Sequence, residues 1–343
     1  MKALVLESVK KLSLKEIELN EKTGPFDVKV KIKACGICGS DIHYYLEGAI
    51  GDFVVKEPMI LGHEAAGVIV EKGDQVTGLE IGDLVCMEPG IPNLQRREVL
   101  EGNYNLDPGI VFWATPPVHG CLRETVVHPA QFCFKLPAGM TAAEGAMIEP
   151  LAIGIEAAKK ARIKPGDIAL VTGCGTIGMM CAISALAGGC SKVFISDIKQ
   201  EKLDIAGSYE NIIPVNTSTV NLEEFIMKET KGLGAGVLFE ASGNPKVYSD
   251  FFRSARPGAR AVLIGCMNGT APLDVGLIQV RGISIETVFR YTNTFDRAVA
   301  LVGSGKIDIK QLISKTFKFE DSIAAYEYAA AGRGDVVKVM IEM

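Results

Sequence analysis

Three side chains in the first half of the sequence have the chemistry of metal ligands. His63 and Glu64 are adjacent and lie between Gly62 and Gly67, and Cys38 precedes them. Imidazole nitrogen, carboxylate oxygen and thiolate sulfur are the donors that proteins offer to zinc. A buried histidine alone is more often a core residue, but this combination predicts a catalytic metal site.

A glycine-rich turn in the second half has the pattern of a dinucleotide-binding loop. Gly173, Gly175 and Gly178 follow the apolar run 168–171 and open a helical pattern, and the next apolar run ends at Asp197. In this setting the glycines allow a tight turn and close approach of a pyrophosphate to a helix N-terminus. Asp197 would accept hydrogen bonds from a ribose and repel a 2′-phosphate, which favours NAD over NADP. The alternative is a purely structural turn.

The metal-ligand segment resembles a known family signature. Gly62-His63-Glu64-x-x-Gly67-x5-Gly73-x-x-Val76 is similar to the signature of the zinc-containing medium-chain alcohol dehydrogenases, and every fixed position is filled. Residues 35–44 resemble the metal-binding segment of the polyol branch, which includes sorbitol and xylitol dehydrogenases. The similarity runs nearly from end to end.

The same resemblance implies an α/β fold with two domains. Residues 1–151 and 292–343 are expected to form a GroES-like, β-rich catalytic domain, because short apolar runs alternate with turns and residues 1–60 suggest a small antiparallel barrel. Residues 152–291 are expected to form a Rossmann domain with a doubly wound parallel sheet, because strand, glycine turn and helix patterns alternate there.

The resemblance also assigns the zinc ligands. It implies that Cys38, His63 and Glu64 bind one catalytic Zn²⁺, with Glu149 facing the metal directly or through water. Asp41 is a candidate acceptor for the free ring nitrogen of His63, which would fix the tautomer of the imidazole. A solvated turn aspartate is the alternative for Asp41.

Other positions correspond to catalytic and binding residues of the family. Ser40 and His43 lie where relatives pass the substrate proton to solvent, although His43 is equally compatible with a surface imidazole. The substrate-binding residues implied by the resemblance are Tyr44, Phe112, Glu149, Arg290 and Tyr291. The alternative for Arg290 is a surface or inter-subunit charge. The cofactor-binding residues implied are Gly173, Gly175, Thr176, Ile177, Gly178, Asp197, Lys202, Ile264, Gly265, Phe289 and Arg290.

The polyol branch implies a specific reaction. An alditol, with xylitol favoured and sorbitol second, would be oxidised to the 2-ketose, D-xylulose or fructose, by hydride transfer to NAD. One alternative is a zinc-dependent L-threonine or simple-alcohol dehydrogenase, which the segment 288–294 argues against. A different class of function is a non-catalytic nucleotide-binding protein on the same fold.

Residues 88–118 form a long excursion with few apolar positions. Loops of this length are usually functional or disordered. In many family members this lobe holds a structural zinc through four cysteines. The corresponding residues here are Asn93, Arg96, Val99 and Asp107, so we expect no structural zinc.

Composition limits the remaining possibilities. The formal net charge of the 343 residues is -5, and no run of Lys or Arg suggests nucleic-acid binding. No apolar stretch approaches the ~20 residues of a membrane span, and the first residues do not resemble a signal peptide, so a cytoplasmic protein is expected. The nine cysteines are expected to remain reduced. The resemblance implies a homo-oligomer, with a tetramer favoured over a dimer and residues 283–288 as a possible interface strand.

Overall fold

The computed structural model describes residues 1–267 and 269–343. The chain divides into two compact units, which are Met1–Glu149 together with Phe295–Met343, and Pro150–Thr294. The first unit is therefore built from two separate stretches of sequence, and the second from one continuous stretch.

Strands dominate the first unit, and the alternation of buried and exposed residues explains why. In the strand Asp27–Gly36, Val28, Val30 and Ile32 are buried while the residues between them are less so, as expected for one face packed on a core. The strands of this unit are β1 (Lys2–Ser8), β2 (Lys11–Glu16), β3 (Asp27–Gly36), β4 (Ala49–Ile50), β5 (Phe53–Val54), β6 (Met59–Ile60), β7 (Glu64–Lys72), β8 (Leu84–Met87), β9 (Gly90–Ile91), β10 (Val111–Phe112), β11 (Thr125–Pro129), β12 (Cys133–Lys135), β19 (Ile313–Lys318) and β20 (Lys338–Glu342).

The largest sheet of this unit has the order β12-β8-β7-β3-β20-β19, and β11 also pairs with β3. A separate sheet has the order β2-β1-β6. Residues 1–60, predicted as one small barrel, are thus divided between sheets, because β3 takes its partners from β7, β11 and β20.

Three strands meet where the predicted metal ligands lie. At the end of β3, Gly36 pairs with Glu64 at the start of β7 and with Met340 of β20. The chain leaves β3 and begins a helix after Cys38. The helices of the first unit are α1 (Gly39–Glu47), α2 (Arg97–Leu100), α3 (Ala142–Ala146), α10 (Phe295–Gly303) and α11 (Ser322–Ala330), while α4 (Ile148–Lys160) continues into the second unit.

The second unit contains a parallel sheet with helical connections. Its strands are β13 (Ile168–Thr172), β14 (Lys192–Asp197), β15 (Ile212–Asn216), β16 (Ala235–Glu240), β17 (Ala255–Leu263) and β18 (Ser284–Thr287), and its further helices are α5 (Thr176–Ala187), α6 (Gln200–Ala206), α7 (Leu222–Glu229), α8 (Tyr248–Arg253) and α9 (Val275–Arg281). The order β15-β14-β13-β16-β17-β18 reverses direction between β13 and β16. Such a switch point is where doubly wound sheets bind nucleotides.

The predicted fold class is confirmed, with a β-rich unit beside a doubly wound parallel sheet. Both apolar cores are well defined by fully buried side chains such as Leu4, Ile32 and Tyr326 in the first unit and Phe194 and Phe251 in the second. Among the described residues, no helix has both the length and the apolar character needed to cross a membrane.

Candidate active site

Cys38, His63 and Glu64 form a compact cluster in the first unit. One sulfur, one nitrogen and one oxygen atom from these residues all lie within 4.8 Å of one another. Gly62 makes the turn that brings His63 into place, with φ of +87°, and a Cβ there would lie 2.9 Å from Cys35 Sγ. The turn therefore requires glycine.

The buried carboxylate of Asp41 organises the backbone around this cluster. Its two oxygens accept hydrogen bonds from the backbone N–H groups of Cys38 (3.2 Å) and Gly62 (3.1 Å). One oxygen lies 3.7 Å from Nδ1 of His63, which is longer than a hydrogen bond. Burial raises the pKa of Asp41.

The electrostatics of the cluster favour a cation. Burial lowers the pKa of His63, but the negative charges of Asp41, Cys38 and Glu149 outweigh this, and the net pKa is well above the ordinary value. Nδ1 of His63 is buried, and none of the described residues forms a hydrogen bond with it. A buried site with this excess of negative potential and this donor set fits a zinc ion.

Sequence reasoning missed one residue of the cluster, Lys338. Its Nζ lies 2.6 Å from both carboxylate oxygens of Glu64 and also donates to the backbone oxygen of Ile37 at 3.1 Å. Both side chains of the ion pair are almost completely buried. The available signal was a single lysine inside the apolar run of β20. Burial lowers the pKa of Lys338, but the charge of Glu64 and the hydrogen bond to it, together with the charges of Cys38 and Glu149, raise the pKa above its ordinary value.

Glu149 lies near the three-residue cluster but outside it. Only 6% of its surface is exposed, and its negative charge contributes to the raised pKa of His63. It occupies the first turn of α4. This position is compatible with an approach to the metal directly or through a water molecule.

Besides Glu149, two of the predicted substrate residues lie in the first unit. The ring of Phe112 is buried, and its centroid lies 5.9 Å from that of His63. Tyr44 is buried on α1. On the same helix Ser40 is partly buried, whereas 43% of the His43 side chain is exposed and its Nδ1 lies 3.3 Å from Glu47 Oε1.

The glycine-rich turn of the second unit has the geometry expected of a cofactor cradle. Gly173 has φ of +93°, and a Cβ on Gly178 would lie 1.8 Å from the carbonyl oxygen of Gly173, whereas the space beside Gly175 is open. Asp197 faces this turn and accepts a hydrogen bond from the backbone N–H of Cys174 at 2.8 Å. These residues fit a dinucleotide, with its pyrophosphate at the N-terminus of α5.

The other predicted cofactor residues also lie in the second unit. Thr176 and Ile177 begin α5, and Lys202 lies in α6. The backbone N–H groups of Ile264 and Gly265 donate to the carbonyl oxygen of Glu240. The guanidinium of Arg290 lies 4.8 Å from the ring centroid of Phe289, and Tyr291 is buried.

The excursion after Glu88 is organised around a carboxylate. Asp107 is buried and accepts hydrogen bonds from the backbone N–H groups of Asn93 (2.7 Å) and Gly109 (2.8 Å). The guanidinium of Arg96 lies 4.0 Å away. These backbone hydrogen bonds, the one from Asn93 above all, lower the pKa of Asp107.

Glu88 itself is a second buried carboxyl group, which the sequence analysis did not single out. Burial raises its pKa to about 7, although a hydrogen bond from the hydroxyl of Tyr104 acts in the opposite direction. The charges of Glu149 and Asp296 add to the increase.

Family comparisons agree with the fold. Residues 24–138 match the alcohol dehydrogenase GroES-like domain, and residues 176–304 match the zinc-binding dehydrogenase family. The chain therefore belongs to the zinc-containing medium-chain alcohol dehydrogenases, as the signature predicted.

Individual relatives cover the whole chain. It is 51% identical to a putative D-xylulose reductase of Agrobacterium fabrum, over 100% of this chain and 99% of that protein. It is also 51% identical to the D-xylulose reductase of Morganella morganii, over 96% and 98%. Among solved structures, an Escherichia coli oxidoreductase of unknown specificity superimposes with a TM-score of 0.95 and 29% identity, over 99% and 98% of the two chains. An Escherichia coli alcohol dehydrogenase complexed with NADH has a TM-score of 0.92 and 26% identity, over 100% and 99%.

Proposed function

We propose that this protein is a zinc- and NAD-dependent polyol dehydrogenase that oxidises an alditol to the 2-ketose, with xylitol and D-xylulose as the favoured pair and sorbitol and fructose second. The observation that carries the proposal is the 51% identity to D-xylulose reductases along nearly the entire chain. The cluster of Cys38, His63 and Glu64 supports it, because a non-catalytic protein would have no need of a complete donor set.

In this proposal Cys38, His63 and Glu64 hold one zinc ion per chain, and Glu149 completes the site directly or through water. Zinc bound there supplies a Lewis acid that lowers the pKa of a substrate hydroxyl. Lys338 keeps the Glu64 carboxylate in one orientation, since both oxygens contact its Nζ. Asp41 fixes the backbone on both sides of the cluster.

The proton released from the substrate needs a path to solvent. We assign this path to the hydroxyl of Ser40 and the imidazole of His43, because both lie on α1 and 43% of the His43 side chain is exposed. The carboxylate of Glu149 offers a second route. Phe112 packs against His63 and excludes water from that side of the imidazole.

Substrate hydroxyls need donors and acceptors in fixed positions. Tyr44, Phe112, Glu149, Arg290 and Tyr291 are proposed to contact the polyol. A planar guanidinium and a phenol supply donors of defined direction for vicinal hydroxyl groups.

The second unit is proposed to bind NAD, which supplies the hydride acceptor. Gly173, Gly175 and Gly178 approach the pyrophosphate, and Asp197 hydrogen-bonds the adenosine ribose. Asp197 is held for this task by three backbone N–H groups, those of Cys174, Ile198 and Lys199. The remaining proposed contacts are Thr176, Ile177, Lys202, Ile264, Gly265, Phe289 and Arg290.

Assembly into a homotetramer is part of the proposal. β18 forms one edge of the six-stranded sheet, and Ile285 on this strand is exposed. An edge strand with an exposed apolar residue favours pairing with another chain. Light scattering during size-exclusion chromatography distinguishes the tetramer from a dimer or a monomer.

The experiment that tests the proposed function is NADH formation by the purified protein with xylitol, sorbitol, iditol and arabitol, with threonine and ethanol as controls. We expect turnover of an alditol that exhaustive chelation removes and zinc restores. Turnover of threonine or ethanol alone would replace the substrate assignment. Turnover that persists in protein verified as metal-free would overturn the zinc mechanism.

A further inference from the structure

Glu88 joins three parts of the first unit that are separate in sequence. Only 3% of its surface is exposed. Its carboxylate accepts the hydrogen bond of the Tyr104 hydroxyl, and its carbonyl oxygen accepts a hydrogen bond of 2.7 Å from Nε2 of His128. Its own N–H donates to the carbonyl oxygen of Phe132 at 2.9 Å. The position of this residue is therefore fixed from three directions.

The segment after Glu88 forms one wall of the metal cluster. β9 begins at Gly90 and pairs with β10, with Gly90 opposite Phe112. The backbone N–H of Trp113 donates to the carbonyl oxygen of Pro89. A Cβ on Gly90 would lie 3.1 Å from the Phe112 ring, so the backbone after Glu88 and this ring are in close contact.

His128 supports the same wall from its other side. Its ring lies 4.5 Å from the ring of Trp113, centroid to centroid, and both side chains are buried. Because Nε2 donates to Glu88, Nδ1 is the unprotonated nitrogen of the ring. Nδ1 is buried, and none of the described residues forms a hydrogen bond with it. Burial lowers the pKa of His128 to about 4. A neutral imidazole is thus locked between Glu88 and the indole.

These contacts connect the excursion to the proposed substrate pocket. Tyr104 lies in the short 3-10 turn Tyr104–Leu106. This turn immediately precedes Asp107, whose buried carboxylate accepts backbone hydrogen bonds of the excursion and is called the carboxylate hub below. From Tyr104 the contacts run through Glu88 to the backbone beside Phe112, whose ring lies against His63. A shift of Glu88 would therefore move the wall next to the metal cluster.

We propose that Glu88 is a positioning residue that fixes Phe112 and Trp113 against the metal cluster and thereby sets the chain length of the alditol that the site accepts. The part concerning chain length rests on the proposed polyol dehydrogenase function. Size discrimination by an apolar wall depends on its exact position, because one carbon more or less changes the fit of the substrate rather than its chemistry.

The test combines selectivity with a direct readout of the wall. Trp113 is the only tryptophan in the sequence, so fluorescence excited selectively at tryptophan, where tyrosine does not absorb, reports its surroundings alone. We would compare Glu88→Ala and Tyr104→Phe with the wild type. The matched control is Glu101→Ala, which removes an exposed carboxylate of the same excursion that pairs only with Arg97 on the surface.

For Glu88→Ala we expect the ratio of kcat/KM for xylitol to that for sorbitol to change on the order of tenfold, and the emission of Trp113 to shift to longer wavelength. Tyr104→Phe is expected to change both in the same direction but less. KM for NAD and zinc content are expected to stay at wild-type values, and Glu88→Gln, which retains an acceptor for Tyr104, is expected to restore most of the selectivity.

Several results would overturn the inference. An unchanged xylitol-to-sorbitol ratio in both variants would do so even if the emission of Trp113 changed, because the wall would then move without affecting the site. Changes of the same size in the selectivity and the Trp113 emission of the Glu101→Ala control would also overturn the inference. Failure of the wild type to oxidise any alditol would overturn the proposed function, and the emission of Trp113 alone would then decide whether Glu88 positions the wall.

Discussion

Two regions of the first unit, the cluster at Cys38 and the excursion around Asp107, are built in opposite ways. The cluster at Cys38 brings sulfur, nitrogen and oxygen donors together in a buried, negative environment. The excursion around Asp107 has a carboxylate that is already satisfied by backbone N–H groups. In the first region the negative charges favour a cation, and in the second the hydrogen bonds of Asp107 connect two backbone segments.

This difference distinguishes a metal that takes part in a reaction from a metal that only holds the backbone in place. A catalytic zinc cannot be replaced by hydrogen bonds, because its Lewis acidity is part of the reaction. A structural zinc only ties backbone segments together, which Asp107 does for Asn93 and Gly109. We therefore propose that chelation affects catalysis and leaves the excursion folded.

The largest effect is expected from Cys38→Ser, which removes the sulfur donor. Loss of the metal should lower kcat/KM on the order of 10³-fold or more, because the electrostatic stabilisation of the reacting oxygen is lost. NAD affinity should not change, since the glycine-rich turn belongs to the second unit. Steady-state NADH formation, metal analysis and NAD titration measure these quantities. Cys266→Ser, at an exposed cysteine, is the control, and high activity of Cys38→Ser would refute the assignment.

The next effect concerns the cation that already neutralises Glu64. Lys338→Met should destabilise the metal-free protein by about 3–5 kcal/mol, because it leaves a buried carboxylate without its partner. Zinc should recover much of this loss by supplying another cation. Denaturant unfolding of the first unit, followed by the fluorescence of Trp113 with and without zinc, measures both. Equal destabilisation in the two conditions would show that Glu64 does not contact the metal.

A smaller effect is expected in the excursion. Asp107→Asn keeps the size of the side chain but removes the charge and one acceptor, so we expect local opening of residues 93–109 to become easier by about 1–3 kcal/mol. Hydrogen exchange of these backbone amides measures the change. Zinc content should equal that of the wild type, and a loss of zinc in this variant would contradict the proposed separation of the two regions.

The smallest effect is the pH dependence of the same excursion. The pKa of Asp107 is lowered in the folded protein from an unfolded value of about 3.9, so its stabilisation is fully present above that value and is lost as the pH falls through the lowered folded pKa. The protection of residues 93–109 against hydrogen exchange, relative to the intrinsic exchange rate at each pH, should therefore decrease in acid in the wild type. The Asp107→Asn variant should lack this step, and an identical acid response in both proteins would argue against the carboxylate hub.

Much of the fold could be predicted because its signals are local. The apolar run 168–171 lies in β13, the next apolar run ends with β14 at Asp197, and a helix begins within the glycine-rich turn, as their patterns indicated. The helix α9 was missed because its 7 residues are too few to show a clear helical period. Strands of two residues, such as β9 and β10, are too short to show a period.

The residues of the candidate site also differ in whether a local sequence pattern marks them. Cys38, His63 and Glu64 were recognised because they fall in short segments with distinctive spacing. Lys338 was missed because it is 274 residues from Glu64, and no local pattern links the two. The role of Glu88 was hidden for a related reason, since its contacts with Tyr104 and His128 exist only after the sheet has formed.

The return of the chain to the first unit has a consequence for synthesis on the ribosome. β20 pairs with the end of β3, but the residues of the second unit are translated between them. Domains generally fold as units during synthesis, so the continuous second unit can acquire its structure while the first still lacks a central strand. The cation of Lys338 reaches Glu64 only when β20 is added, and the metal pocket is therefore among the last parts of the molecule to mature.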